Sequence, residues 1–341
     1  MRRELVCLEP ASPPRLKVRS TESPAPKRGE VLVRVEATSI NPIDLRRANG
    51  YGRRLLGLKG AAKFPLVLGN DFAGRVESVG PDVSAFRPDQ RVYGLVPTGK
   101  DGGAHASQVV VPQSLLLAAP DGADAASLAV LPYSFTTMWL ALRATGLDAA
   151  NAAGKRVLVQ GAAGALGRLA LQLLKSWGAR VTAICDVGKA DECRALGAEH
   201  AVERGPQAIA SLPADFDAVL NFASWDDERA LASRLGSGAL GHATTVHPLL
   251  GHFDQLGWVR GALACARDKK AVRAVVQQRS PRASYTWTIF KPDHEALAAL
   301  EAGVRERRLS LSVGPSVPLD QAAAAFAHVA AGKPGRAVLQ P

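Results

Sequence analysis

Short apolar stretches with a two-residue period dominate the first third of the chain. Val31, Val33 and Val35 occupy every second position, which is the period of a strand with one buried face. Similar apolar runs follow at residues 72–76, 91–96 and 108–111, separated by glycine, proline and aspartate. Many short strands with turn residues between them predict a compact barrel-like domain.

After about residue 125 the apolar positions adopt a helical period and then alternate between the two periods. Residues 127–142 have apolar side chains three and four positions apart, which predicts a helix. Strands are predicted at residues 156–160, 181–185, 218–220 and 239–246. Helical segments are predicted at residues 166–177, 189–196 and 226–234. Apolar strands that alternate with helices favour an α/β fold with a doubly wound parallel sheet.

The last sixty residues return to a mixed pattern. They predict a strand over residues 285–290, a helix over 294–305, a helix over 321–330 and a final strand over 336–339.

A glycine-rich turn joins the first strand of the alternating region to its helix. Its residues are Gly161, Ala162, Ala163, Gly164, Ala165, Leu166 and Gly167. Small residues between a strand and a helix N-terminus let a pyrophosphate approach free backbone N–H groups. With a strand on each side, the turn predicts that these seven residues bind a dinucleotide, although close packing also uses glycine and alanine.

The end of the second strand gives conflicting signals about the cofactor. Asp186 lies 22 residues after Gly164, the spacing of an acid that binds the ribose 2′-hydroxyl of NAD. Lys189, three residues later, would instead attract the 2′-phosphate of NADP. A third interpretation makes Asp186 a helix cap.

Length and charge narrow the function classes. The chain has 341 residues, about two domains, and its 42 Lys and Arg exceed its 31 Asp and Glu by 11. The basic clusters are short and dispersed: residues 46–47, 53–54, 269–270 and 305–308. Aromatic residues make up only 5% and do not alternate with the cations, so a solvated basic surface is favoured over a nucleic-acid groove. Anionic cofactors are a third explanation.

The four cysteines lie far apart, without a C-x-x-C pair, which argues against a disulfide framework or a thiolate metal site. The N-terminal residues lack the features of a signal peptide, and no uninterrupted apolar stretch approaches the roughly 18 residues of a membrane span. We therefore expect a cytoplasmic protein without a membrane span.

Several motifs along the chain resemble those of one enzyme family. They are residues 39–44, 49–52, 64–74, 131–133, 246–250, 253–257, 318–322 and 335–339, with Thr137 and Trp139. As a set they are similar to the zinc-independent quinone oxidoreductase branch of the medium-chain dehydrogenase/reductase superfamily. Within that branch, the chain resembles the mitochondrial reticulon-4-interacting NADPH oxidoreductases over nearly its whole length.

The resemblance implies an architecture. A GroES-like β-barrel catalytic domain would comprise residues 1–125 and 285–341, with a Rossmann dinucleotide-binding domain of residues 126–284 inserted between them. NADPH or NADH and a small-molecule substrate would meet in the cleft between the domains. The resemblance also implies a homodimer, for which residues 239–246 would supply a sheet edge.

The resemblance also implies site residues. Asn41 and Thr137 would lie near the nicotinamide, and Tyr51 near the substrate oxygen, although a turn tyrosine is an equal alternative. Asn221 would lie at the cofactor, and Arg336 would hold a cofactor phosphate or lie at the surface. Family members have Asp-x-Val-Gly-Gly where this chain has residues 221–225, Asn-Phe-Ala-Ser-Trp.

Zinc is not expected. Metal-dependent members place a cysteine where this chain has Pro42, Ile43 and Asp44, and Gly-His-Glu where it has residues 69–71, Gly-Asn-Asp. Without a Lewis acid to lower the pKa of an alkoxide, alcohol oxidation is disfavoured. We therefore expect NAD(P)H-dependent reduction of a quinone or an α,β-unsaturated carbonyl. The alternatives are a weakly catalytic NAD(P)H-binding protein with an RNA- or partner-binding role, and a tailoring enzyme of a biosynthetic pathway.

Overall fold

The computed structural model describes residues 1–99, 102–205 and 207–341. Short strands fill the first part of the chain, as its two-residue period predicts. They are β1 (Arg2–Cys7), β2 (Leu16–Thr21), β3 (Glu30–Ser39), β4 (Leu66–Val67), β5 (Asp71–Val79), β6 (Arg91–Leu95), β7 (Gln108–Pro112) and β8 (Leu116–Ala118). Two short helices lie between β3 and β4: α1 (Pro42–Ala48) and α2 (Arg53–Gly57).

Strands and helices alternate in the middle of the chain. The helices are α3 (Ala125–Ala129), α4 (Pro132–Ala144), α5 (Ala165–Ser176), α6 (Ala190–Leu196), α7 (Glu228–Ala232) and α8 (Leu249–Arg279). The strands are β9 (Arg156–Gln160), β10 (Arg180–Cys185), β11 (Ala198–Glu203), β12 (Ala218–Asn221), β13 (Gly241–Thr244) and β14 (Ser284–Trp287). The tail adds α9 (His294–Arg305), β15 (Val313–Pro318), α10 (Ala322–Ala330) and β16 (Arg336–Gln340).

The middle strands form a parallel sheet in the order β11-β10-β9-β12-β13-β14. This order is typical of dinucleotide-binding sheets, and it confirms the predicted doubly wound architecture. The strand order reverses between β9 and β12, where Gln160 pairs with Asn221. Ligands bind at such a reversal, beyond the carboxyl ends of the strands.

The first part of the chain and the tail share one mixed sheet. Its order is β15-β16-β3-β5-β6-β8, with β7 also paired to β3. Val338 and Leu339 of β16 lie opposite Ser39 and Thr38 of β3. The chain therefore leaves this sheet, builds the parallel sheet and returns. A separate three-stranded sheet joins β2, β1 and β4.

One domain boundary and one sheet edge differ from the sequence prediction. β14 pairs in parallel with β13, so a domain boundary at residue 285 would separate this strand from its own sheet, and we propose a boundary between Trp287 and His294. β13 lies between β12 and β14, so residues 239–246 do not form an exposed edge. Their hydrogen-bonding groups are already used within the sheet. The homodimer stays a prediction.

Helix α4 connects the two large sheets. It contacts β6 of the mixed sheet and β13 and β14 of the parallel sheet, and Phe135 and Met138 are completely buried in the core. Ala125–Ala144 is long and apolar enough to cross a membrane by length and composition alone. Of its most apolar window, 67% is buried inside the protein, which is also what a core helix shows.

Candidate functional site

A cleft of about 310 Å³ lies where the glycine-rich turn faces the tail. The turn side contributes Ala163, Gly164 and Ala165, and the opposite side includes residues 332–336 and Pro42 at the start of α1. The parallel sheet and the mixed sheet therefore each supply one wall. The position matches the carboxyl end of β9, where the strand order reverses.

The three glycines of the turn have different roles. Gly161 has a φ of +76°, a left-handed conformation that disfavours other residues. A Cβ atom at Gly167 would lie 2.3 Å from the Gly161 carbonyl oxygen, so this position must lack a side chain for α5 to pack on the turn. A Cβ atom at Gly164 would meet only that same oxygen, at 3.3 Å. Gly164 is thus the glycine whose missing side chain leaves room in the cleft.

The structure divides the predicted cofactor-binding residues into two groups. Those that line the cleft are Ala163, Gly164, Ala165, Asp186, Lys189 and Arg336. Those outside its lining are Gly161, Ala162, Leu166, Gly167 and Asn221. Ala162 is completely buried. The second group shapes the turn and its surroundings, and the first group faces the cleft. Their role in binding a dinucleotide stays a prediction.

Charged side chains in the cleft are predominantly cationic. The cations are Arg168, Lys189, Lys333 and Arg336, and the acids are Asp186 and Glu192. Glu192 accepts a hydrogen bond from Arg168 and lies 3.3 Å from the Lys189 ammonium group, and these contacts lower the pKa of Glu192. Asp186 lies 3.3 Å from Arg204. Each acid is paired with at least one cation, and the four cations of the lining outnumber its two acids. The lining therefore has an excess of positive charge.

Two of these arginines have unused donors. The Nε atoms of Arg168 and Arg336 are buried and have no hydrogen-bond partner among the described residues. Each guanidinium reaches a hydroxyl oxygen through Nη2, Arg168 to Ser312 at 3.4 Å and Arg336 to Ser134 at 3.3 Å. Burial lowers the pKa of Arg336. Buried unpaired donors are costly, and an anionic group in the cleft would satisfy them.

Sequence reasoning missed Arg168 and Lys333. Arg168 lies four residues after Gly164, one helical turn into α5, so its position relative to the turn was a usable signal. Lys333 is close to Arg336 in sequence, but only the fold brings the tail opposite the turn.

Asp71 is the centre of a buried hydrogen-bond network beside the cleft. Its carboxylate accepts hydrogen bonds from Ser39 Oγ at 2.8 Å, from Asn41 Nδ2 at 2.9 Å and from the backbone N–H of Tyr133. Burial raises the pKa of Asp71 to about 7, although these hydrogen bonds act in the opposite sense. Asp71 thus fixes the Asn41 amide, whose Oδ1 is buried without a hydrogen-bond partner among the residues that the structure describes.

The same network connects the two residues predicted to lie near the nicotinamide. Thr137 Oγ1 donates to the Tyr133 carbonyl at 2.8 Å, and the Tyr133 N–H donates to Asp71, which holds Asn41. The Tyr133 ring packs on Phe290 with ring centroids 4.4 Å apart. Asn41 and Thr137 therefore belong to one connected arrangement, and their predicted role stays a prediction.

Tyr51 has a different environment. It lines a small separate cavity with Arg47 and Phe64, and the Arg46 guanidinium lies 3.6 Å from its ring centroid. Burial raises the pKa of the Tyr51 hydroxyl, and the Arg46 charge opposes that shift. Tyr51 lies beside Gly251 at the start of α8, where it hydrogen-bonds the Gly251 backbone. Its predicted place near the substrate oxygen stays a prediction.

Asn221 does not face the cleft. It is completely buried, and its amide nitrogen donates to the Ser224 carbonyl at 2.7 Å and to Glu228 at 2.6 Å. Its amide oxygen accepts from the N–H groups of Ala223 and Ser224 at 3.1 and 3.3 Å. With its hydrogen bonds used in this way, Asn221 holds the loop after β12, which packs against Gly161.

Behind Asn221 lies a second buried network, which sequence reasoning missed. Glu228 accepts a hydrogen bond from Tyr285 at 2.9 Å and lies 2.8 Å from His242 Nε2. Burial alone would raise the pKa of Glu228, but His242, Asn221 and Tyr285 outweigh it and lower the pKa. Trp287 in turn donates to the Tyr285 hydroxyl at 2.8 Å. This network fixes Asn221 from the side away from the cleft.

The residues at the positions where metal-dependent members have their zinc ligands do not fit a zinc ion. The Asp44 oxygens accept hydrogen bonds from the N–H groups of Asn41 at 2.8 Å and Gly69 at 3.0 Å. Asn70 donates to the Val96 carbonyl at 2.8 Å, and Asp71 is engaged as described. Among the described residues, no group of three His, Cys, Asp or Glu side chains is arranged to hold a metal ion.

Comparisons with known families agree with this geometry. Residues 27–121 match the family model described as alcohol dehydrogenase GroES-like domain, and residues 196–339 match the one described as zinc-binding dehydrogenase. The chain is 34% identical over 322 residues to the mitochondrial NAD(P)H oxidoreductase RTN4IP1 of Drosophila melanogaster. That alignment covers 89% of this chain and 76% of the relative.

Two further similarities extend the comparison. The chloroplastic quinone-oxidoreductase homolog of Spinacia oleracea is 34% identical over 191 residues, which is 55% of this chain and 56% of that protein. The solved structure of the quinone oxidoreductase from Coxiella burnetii superposes with a TM-score of 0.81 at 21% identity. It covers 100% of this chain and 99% of that one, and at this identity it shows the shared fold alone.

Proposed function

Because the chain belongs to the medium-chain dehydrogenase/reductase superfamily and is an NAD(P)H oxidoreductase of that type, we propose that it is a zinc-independent, NADPH-preferring reductase of quinones or α,β-unsaturated carbonyls. The observation that supports this most is the cleft between the glycine-rich turn and the cationic tail. It offers a helix N-terminus for a pyrophosphate and side-chain cations for further phosphate charge.

The preference for NADPH follows from the balance of charge in the cleft. Glu192 is neutralised by Arg168 and Lys189, and Asp186 by Arg204. Lys333 and Arg336 then leave an excess of positive charge in the lining. A dinucleotide with a 2′-phosphate has more negative charge than NADH, so it gains more from this excess.

The catalytic contribution of the chain is to bind, orient and exclude water. When bound, the reduced nicotinamide supplies a hydride to an electrophilic carbon. Asp71 fixes the Asn41 amide. Its Oδ1, which has no hydrogen-bond partner in the described part of the chain, can accept from an N–H group such as that of a carboxamide. The Tyr133–Phe290 contact supplies an apolar wall beside Thr137. Positioning of this kind lowers the barrier without an ionisable catalyst.

Zinc independence is proposed because of how the acidic and amide side chains are used. Asp44 and Asp71 hold backbone and side-chain donors of their own lobe. Quinones and enones are already electrophilic, so their reduction does not need the alkoxide stabilisation that a metal provides.

Separate titrations with NADPH and NADH, followed by an acceptor panel with a chelator present, test this proposal. We expect NADPH to bind about tenfold more tightly and quinone- or enone-dependent oxidation of NADPH to persist in the chelator. Lys333→Met, in the cleft lining, should weaken NADPH more than NADH, whereas Lys175→Met, at an exposed position on the far end of α5, should change neither. No turnover across a broad panel of quinones and enones would contradict the proposal.

A further inference from the structure

The face of α8 that follows Gly257 is both apolar and basic. Gly257 has a φ of 78° and breaks the helix. Immediately after it, Trp258, Val259 and Leu263 are 45%, 74% and 66% exposed. These three side chains form an apolar surface at the beginning of the second part of α8.

Exposed cations continue this face toward the end of the helix. They are Arg260, Arg267, Lys269, Lys270 and Arg273. Arg279, at the end of the helix, instead donates to the carbonyl oxygens of Leu235 and Ala214. Arg260, Lys270 and Arg273 form no ion pair with any residue that the structure describes. Asp268 is the one acid in the part of α8 after Gly257. It is largely covered and is held by His252 at 2.7 Å and Arg267 at 2.9 Å. We call this surface, residues 258–279, the α8 outer face.

The helix therefore brings these cations onto one side of α8. Residues 269–270 are an isolated pair in the sequence, but residues 263 and 270 are two helical turns apart and share one side of α8. The exposed apolar residues and the cations thus occupy one continuous face.

We propose that the α8 outer face docks on an anionic phospholipid surface. Trp, Val and Leu beside unpaired Lys and Arg are the combination that binds such a surface, since apolar side chains enter the headgroup region while cations meet phosphates. A second copy of the chain fits less well. A two-fold contact through this face would place unpaired cations against each other without an exposed carboxylate between them. An RNA surface fits less well too, because Trp258 is the only aromatic residue of the face.

One consequence rests on the proposed function. Quinones with long apolar tails partition into bilayers, so docking would bring the reductase to the phase that contains them. We expect vesicles to raise turnover of such a quinone but not of a water-soluble one.

Vesicle co-sedimentation of the full chain tests the proposal. The probes are phosphatidylcholine vesicles and vesicles in which roughly a third of the lipid is phosphatidylglycerol. Binding should occur only to the anionic vesicles and should weaken with added salt. Arg260→Glu combined with Lys270→Glu and Arg273→Glu should lower the partition coefficient by about 100-fold. Val259→Ser with Leu263→Ser should lower it by about tenfold.

The matched control replaces three exposed cations elsewhere: Lys17→Glu, Lys27→Glu and Arg307→Glu. It lowers the net charge by the same amount and should keep most of the vesicle binding. Equal losses in both charge variants would overturn the proposal, because they would show a response to net charge alone. Absence of binding to anionic vesicles would overturn it as well. So would a stable dimer in light scattering that Val259→Ser with Leu263→Ser dissociates, or preferential binding of single-stranded RNA.

Activity assays separate this proposal from the proposed function. If wild type and variants alike reduce a water-soluble benzoquinone but do not bind vesicles, the proposed docking surface is wrong. The proposed reductase activity then stands. Vesicle binding without turnover of any quinone or enone leaves the docking surface and overturns the reductase.

Discussion

The carboxylate of Asp254 accepts a hydrogen bond from the backbone N–H of Gly52 at 2.5 Å. Its other oxygen accepts from the N–H of Arg54 at 3.1 Å. Asp254 belongs to α8, between two strands of the parallel sheet, whereas Gly52 precedes α2 of the first part of the chain. The two lobes are thus joined at the segment that contains Tyr51.

Asp254→Ala should loosen this connection. Each lost bond is a charge-assisted one, so we expect the free energy of unfolding to fall by about 2 kcal/mol. We also expect KM for the acceptor to rise severalfold, because the segment with Tyr51 is no longer held against α8. Urea unfolding and steady-state kinetics measure the two effects.

Asp254→Asn is the control for this prediction, since its amide oxygen retains one acceptor. It should lose about half as much stability as the alanine variant. If both variants match the wild type in stability and in KM, Asp254 does not join the lobes.

Gly164→Ala should weaken cofactor binding, whereas Gly167→Ala should destabilise the fold. A Cβ atom at Gly164 enters the cleft and meets one carbonyl oxygen at 3.3 Å, so NADPH should bind about tenfold more weakly with little change in stability. A Cβ atom at Gly167 would lie 2.4 Å from Ala162 Cα, which should cost about 2 kcal/mol of stability. Fluorescence titration with NADPH and thermal unfolding distinguish the two. The reverse pattern would contradict the assignment of the turn.

The glycine-rich turn and the parallel strands could be predicted because their signals are local. Residues 156–167 contain the strand, the turn and the first helical residues within one short segment, and the apolar strands have a period visible without any partner. The same holds for Lys189 and Asp186, which immediately follow a predicted strand.

The rest of the site depends on contacts between distant segments. Arg168 and Lys333 face one cleft although 165 positions separate them in the sequence, and no local pattern specifies that approach. The family resemblance predicts Asn221 at the cofactor, whereas Asn221 lies outside the lining of the cleft. Its orientation is set by Glu228 and thereby by His242, whose burial the sequence could not predict. The α8 outer face was missed because its cations share a side only once residues 249–279 are known to be helical.

Glu228→Gln should weaken cofactor binding from a distance. In the wild type, His242 and the Asn221 amide nitrogen each lie at one oxygen of the Glu228 carboxylate. In the variant, the NH2 group of the glutamine replaces one of these oxygens and must point a donor at one of the two. We expect a loss of about 3 kcal/mol in stability and weaker binding of NADPH, because Asn221 then no longer fixes the loop beside Gly161. Titration with NADPH at a temperature where the variant remains folded separates the loss of affinity from the loss of stability.

Asp226→Asn is the matched control, since Asp226 is exposed on the same connection. It should leave both stability and NADPH affinity unchanged. Wild-type NADPH affinity in a folded Glu228→Gln protein would show that the network does not position the loop.

Asp71 should make stability depend on pH. Its native pKa of about 7 exceeds the ordinary value of 3.8, so the native state binds this proton more tightly than the unfolded state. The free energy of unfolding should therefore fall as pH rises from about 4 to about 7, by an amount on the order of 4 kcal/mol from this group, and then level off.

Asp71→Asn removes the titrating group and should flatten the profile between pH 4 and pH 7, whatever its own loss of stability. Urea unfolding at a series of pH values measures this. A variant whose profile keeps the wild-type slope would assign the pH dependence to another group.

The return of the tail to β3 has a consequence for the order in which the molecule can be assembled during synthesis. β3 is among the first strands to leave the ribosome, yet its pairing with β16 at residues 38 and 39 needs Val338 and Leu339. The strands of the parallel sheet all lie between residues 156 and 287. That sheet can therefore be complete before β16 has been synthesised, while residues 38 and 39 of β3 are still unpaired with it. The inserted lobe can therefore fold first, and the lobe that begins the chain is finished last.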